Sequence, residues 1–291
     1  MRLVVLQQIL NIFRGRYGYL PIYIQQHKFW ASTDKINTLI IGSSHMAASY
    51  NTDINLGEFK YASSSQDLYY SYKIYEKCFK QKPEISNIVI SYSVFTPGHE
   101  VIKTGDADIC AIYKALEKID YQFKSVAFKK MLPLLEFFYK ILIWKLYEKT
   151  QFYMNRKNSR EIVFSENANV SEESVRQRAL KHYKNNQRKT HQLDYLKLIF
   201  DKAIERNQKV FVVIAPMTSV YRSVLPASEE LFEKLYNLAE NYQNVTILNY
   251  YDSDKFSDTD FYDGDHLNKY GTEKSTAMIN EAIYHDDVTA H

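Results

Sequence analysis

The chain is short of glycine, with 8 in 291 residues, less than half of the roughly 7% that is ordinary. Proline is also scarce, at 6. Together these absences exclude collagen, Gly/Ser linkers and glycine-rich phosphate loops. Cysteine is reduced to Cys78 and Cys110. Neither sits in a CxxC or beside a histidine partner, so no disulfide scaffold and no metal site is expected. An excess of one charge is missing too. Lys and Arg number 37 against 34 Asp and Glu, a balance of +3, which gives no reason to expect nucleic acid as a partner. No apolar run reaches the ~18 uncharged residues of a membrane span. The nearest, 131–147, is broken by Glu136, Lys140 and Lys145. The first residues lack the long apolar core and small-residue cleavage site of a signal peptide. The expected location is therefore cytoplasmic, with peripheral contact at the inner face of a membrane.

What is present is an alternating pattern. Short apolar runs at 38–41, 59–62, 85–92, 209–215 and 245–248 predict five strands. Helical spacing predicts helices over 66–81, 229–242 and 268–284. Strands spaced by helices predict an α/β fold: a three-layer α/β/α sandwich on a mostly parallel five-stranded sheet. Residues 100–208 read as almost wholly helical and predict a large insertion, a lid or cap. It would divide the core into 36–99 and 209–291, with 1–35 an aromatic and basic segment packed on that core. Inside the insertion, 131–147 reads as a core-packing helix or a membrane-surface face. Arg176, Arg178, Lys181, Lys184, Arg188 and Lys189 read as a solvated helix face or a docking surface for an anionic polymer or phospholipid.

The few glycines accompany two reactive blocks. Gly42-Ser43-Ser44-His45 ends the first strand and leads into a helix. Ligands of parallel α/β sheets sit outside that end of the strands. Asp263-Gly264-Asp265-His266 precedes the last helix. Asp263 lies three residues before His266 across a turn. Its carboxylate can reach a ring N–H and fix the tautomer, leaving the other nitrogen to take a serine proton. Such help is needed, because an unassisted serine is a poor nucleophile at neutral pH. Asp265 is the alternative orienting acid, and Ser43 the alternative nucleophile. Asn268 reads as the cap of the last helix.

In this order and spacing the two blocks resemble those of the SGNH (GDSL-type) hydrolases and acyltransferases. The likeness covers roughly 36–98 and 208–285. It implies Ser44 as nucleophile, His266 as base and Asp263 as orienting acid. The Gly-Ser-Ser-His opening resembles the branch found among bacterial capsular and cell-envelope polysaccharide modification proteins. That implies an O-acetyltransferase with a polysaccharide or oligosaccharide acceptor, acetyl-CoA as acyl donor and no bound cofactor. Contact with a membrane or a biosynthetic complex would accompany it. The family usually builds its oxyanion hole from the nucleophile's N–H, a glycine N–H after the second strand and an asparagine after the third. Here the counterparts are Ser44, Ser64 or Ser65, and Ser93. His45, Tyr92 and Arg222 are the candidates for substrate contact. The competing expectations are a carbohydrate or lipid esterase with the same triad, and a non-catalytic glycan-binding or scaffold module.

Overall fold

The computed structural model describes residues 29, 35–52, 56–104, 106, 109, 110, 113–122, 168 and 170–284. Among them, five strands form one sheet: β1 (Thr38–Gly42), β2 (Glu58–Ala62), β3 (Asn87–Tyr92), β4 (Lys209–Ile214) and β5 (Val245–Asn249). The order is β2-β1-β3-β4-β5, and every neighbouring pair is parallel. All five start and end within two residues of the expected positions. The helices of the same unit are α1 (Ser44–Ser49), α2 (Leu68–Gln81), α3 (Glu172–Asn186), α4 (Gln192–Glu205), α5 (Ser219–Arg222), α6 (Ser228–Ala239) and α7 (Lys269–Tyr284).

Parallel strands buried on both faces need apolar side chains in both directions. Ile40, Val89, Phe211 and Val213 pack on one face with Met46, Tyr50, Ile279 and Ile283, from α1, its cap and α7. On the other face α2 and α4 pack together. The Gln192 side-chain carbonyl accepts from the N–H groups of Leu68 (2.8 Å) and Tyr69 (3.3 Å), closing the free end of α2.

By contact the chain divides into two units, Met1–Trp30 with Glu100–Ile162, and Ala31–His99 with Val163–His291. This corrects the expected insertion of 100–208, because 163–208 belong with the sheet. The physical reason is the apolar stripe of α4, where Leu196, Ile199, Phe200 and Ala203 are all buried. Asn186 ties the end of α3 to the loop after β3, its Nδ2 donating to the Val94 carbonyl at 2.8 Å. The described part of the first unit includes a 3-10 turn, Val101–Lys103, and a π-helical turn, Tyr113–Glu117. The expectations for 1–28 and 131–147 lie outside the described residues. Among the described residues, no helix is long and apolar enough to cross a membrane.

With this strand order the switch point falls between β1 and β3, the place where ligands of parallel α/β sheets bind. Gly42 ends β1 at φ +144°, a conformation open to glycine and rarely to other residues. A Cβ there would collide with the Ser91 hydroxyl. That hydroxyl instead accepts from the Ser43 N–H at 3.1 Å and fixes the turn out of the strand.

Candidate active site

Ser43 caps α1 from an extended backbone, its Oγ accepting from the His45 N–H at 3.3 Å. Ser44 is thereby the first helical residue, half-buried at the strand ends. The facing loop precedes α7. There Asp263 Oδ1 accepts from the N–H groups of Asp265 (3.0 Å) and His266 (2.8 Å), folding the loop over its own carboxylate. A backbone bridge between Phe261 and Leu267 closes it. Gly264 sits under Val175 of α3 so closely that a Cβ would collide with that side chain. Asn268 is the cap of α7, its Oδ1 accepting from the N–H groups of Tyr270 (3.0 Å) and Gly271 (3.1 Å).

These two loops bring three side chains into line. His266 Nδ1 lies 3.1 and 3.0 Å from the two oxygens of Asp263, and Nε2 lies 2.9 Å from Ser44 Oγ. An ionised carboxylate only accepts, so the partners assign the ring proton to Nδ1. Nε2 then accepts from the Ser44 hydroxyl. Burial opposes protonation of His266, but the charge of Asp265, then the hydrogen bond and charge of Asp263, outweigh it. The imidazole is held above its ordinary range.

A second chain of the same groups runs beside the first. His45 Nδ1 lies 2.7 Å from Ser93 Oγ, and Nε2 lies 3.1 Å from Asp265 Oδ2. By the same reasoning, Nε2–H donates to Asp265 and the Ser93 hydroxyl donates to Nδ1. Asp265 has no solvent exposure. Arg178 of α3 brings its Nε to 2.9 and 3.0 Å from the two carboxylate oxygens. The Asp265 carboxylate also lies 3.5 Å from His266 Nδ1 and 3.7 Å from His182 Nδ1. His182 Nδ1 is 2.8 Å from the Tyr221 hydroxyl. Burial works against ionisation of Asp265. The charge of His266, the hydrogen bond from His45 and the charge of Arg178 outweigh it and hold the carboxyl well below its usual range. Burial pushes both His45 and His182 down, His182 to about 3, so both rings are neutral at pH 7.

The ligand atoms of His45, Asp265 and His266 lie within 4.8 Å of one another, close enough to be weighed as a metal seat. The fit is poor. A guanidinium already supplies the positive charge at Asp265, and each imidazole is committed between a hydroxyl and a carboxylate.

No family model matches the chain, and no curated protein matches it. Among solved structures, one named for a platelet activating factor from Streptococcus pneumonia aligns over 97% of this chain and 99% of its own, with 11% identity and a TM-score of 0.47. One named for an acylhydrolase from Bacteroides fragilis aligns over 91% and 94%, with 12% identity and a TM-score of 0.41.

The structure thus brings Ser44, Asp263 and His266 together and places the other sequence candidates elsewhere. Ser64 and Ser65 are half-buried in the loop after β2. The β1–β2 register sets Ala62 beside Gly42, so this loop leaves the sheet next to Ser44. Ser65 has φ +57° and accepts at its carbonyl from His99 Nε2 at 3.1 Å. Ser93 is a correction: its N–H donates to Thr96 Oγ1 at 2.8 Å and its hydroxyl serves His45, so neither is available to an oxyanion. Tyr92 is a second. It is wholly buried with its ring against Phe232, because side chains one step apart on a strand point to opposite faces. His45 is a third, being 1% exposed inside the second chain rather than facing substrate. Arg222 stands half-buried at the end of α5, with no hydrogen bond or ion pair to the triad. Sequence reasoning missed Arg178 and His182. Their i,i+4 spacing was the available signal, but it reads equally as a solvated face.

Proposed function

We propose that this protein is a serine-dependent acyl-transfer enzyme. The observation that carries the reading is the unbroken hydrogen-bond chain from Ser44 Oγ through His266 to Asp263, with distances of 2.9 and 3.0 Å. Ser44 Oγ attacks the carbonyl carbon of an ester or thioester while its proton passes to His266 Nε2. Asp263 holds the ring and stabilises the imidazolium. Collapse of the tetrahedral intermediate breaks the bond to the leaving group, which takes the proton from His266. The acyl group is left on Ser44. A second nucleophile then yields its proton to His266 as it attacks the acyl carbon, and the Ser44 oxygen leaves, taking that proton back.

The oxyanion needs preorganised donors. We assign the Ser44 N–H and a backbone N–H of the Ser64–Ser65 loop to that role. For the acceptor we assign a hydroxyl of a bacterial surface polysaccharide, with acetyl-CoA as donor; its support is the likeness of Gly42-Ser43-Ser44-His45 to that family branch. Water as acceptor would make the same acyl-enzyme an esterase. The test is turnover of 4-nitrophenyl acetate and of acetyl-CoA with oligosaccharide acceptors, by the native protein and by Ser44→Ala. Acyl release is expected from the native protein and not from Ser44→Ala. Equal rates from both proteins contradict an acyl-serine.

A further inference from the structure

We propose that Asp265 is a second working carboxylate of this site, a positioning residue that anchors His45 on Ser93 and shares His266 with Asp263, with Arg178 as its counter-charge. The inference rests on the acyl-transfer reading and deepens it. A buried carboxylate must fill its acceptor sites with partners. This one, without solvent exposure, is faced by Arg178 at 2.9 Å, His45 at 3.1 Å, His266 at 3.5 Å and His182 at 3.7 Å. Asp265 therefore touches the orienting edge of the catalytic imidazole as well as the buried relay.

Geometry gives it two effects on His266. The first is placement. Asp265 holds the His45 ring, and that ring stands edge-on to His266 with centroids 5.2 Å apart, forming one wall of the space in which His266 turns. The second is charge. When His266 takes the Ser44 proton, the imidazolium forms between two carboxylates rather than one. The groups facing it are Asp263 and Asp265 from its own loop, Ser44 and His45 from α1, and Arg178 and His182 from α3, with Tyr221 of α5 behind His182. Arg178 lies 3.9 Å from Asp263 as well, so it opposes imidazolium formation through both carboxylates.

The two charges should therefore act in opposite directions. Asp265→Asn should move the protonation midpoint of His266 down by about one pH unit. Arg178→Gln should move it up. The measurement is an NMR titration of ring-labelled histidine in a Ser44→Ala background, which needs no turnover, with His266 assigned by its loss in His266→Gln. The acid limb of kcat/KM in otherwise native protein should move with it. A merely structural Asp265 would lower stability and leave both midpoints in place. If Asp265→Asn does not fold, Arg178→Gln reads the charge effect with the opposite sign, its side chain being 42% exposed. Unmoved midpoints in the folded variants overturn the proposal. Full esterase activity in Ser44→Ala would instead overturn the acyl-serine reading, whatever the titration shows.

Discussion

Two hydroxyl–imidazole–carboxylate chains lie side by side in this molecule, and their chemistry is the same on paper. Ser44–His266–Asp263 and Ser93–His45–Asp265 have comparable distances and the same inferred tautomer logic. They differ in surroundings. Ser44 begins a helix at the open end of the sheet and is half-buried, whereas Ser93 is 1% exposed and has both its donors committed. His266 is held above its ordinary range between two carboxylates, whereas burial leaves His45 below it. A serine, a histidine and an aspartate in line do not make a nucleophile. Access for a carbonyl carbon and a base poised near neutral pH do.

The largest expected contrast is in activity. Ser44→Ala should lower acyl transfer by about 10⁴-fold or more, the scale of removing a triad member. Ser93→Ala removes one buried hydrogen bond of about 1 kcal/mol and should cost less than tenfold. Comparable losses in the two variants would break the comparison. Next comes the pH profile. A general base must be neutral, and His266 is held above the ordinary 6.5. The acid limb of kcat/KM should therefore fall at a pH above 6.5, and a limb below that value would contradict the shared-carboxylate environment.

The seam between the two chains is the docking of α3 on the Asp263–His266 loop at Gly264 and Val175. Gly264→Ala should destabilise by about 1–3 kcal/mol in urea unfolding. Adding Val175→Ala should return part of that loss, because the new methyl then finds room. Strict additivity of the two would contradict the close approach. A last effect lies in acid stability. His182 titrates at about 3 in the folded protein, against roughly 6.5 when unfolded. The unfolded chain thus binds the proton first, and stability is lost as pH falls between those values. His182→Gln should flatten that slope.

The first chain was legible in the sequence and the second was not. Gly42-Ser43-Ser44 and Asp263-x-x-His266 announce themselves because both lie in turns that glycine punctuates, one after a strand and one before a helix. The strands were legible because short β-branched runs allow little else. His45 reads as a substrate contact and Asp265 as an alternative orienting acid, not as partners of each other. Their partnership spans 220 positions. It also depends on Arg178, whose helix reads as solvated because its charged residues outnumber its apolar ones. Only Val175, Ala179 and Asn186 of that helix are buried, too few for a clear apolar stripe. In α4 the stripe was present, at Leu196, Ile199, Phe200 and Ala203, and that helix lies in the same unit as the sheet.

Ser44, and not Ser93, is the nucleophile we propose. Its most direct test is to treat the folded protein with a fluorophosphonate probe and locate the adduct by peptide mass spectrometry. An adduct should form on Ser44, disappear in His266→Ala and persist in Ser93→Ala. Labelling that persists in Ser44→Ala, or an adduct on Ser93, would contradict it.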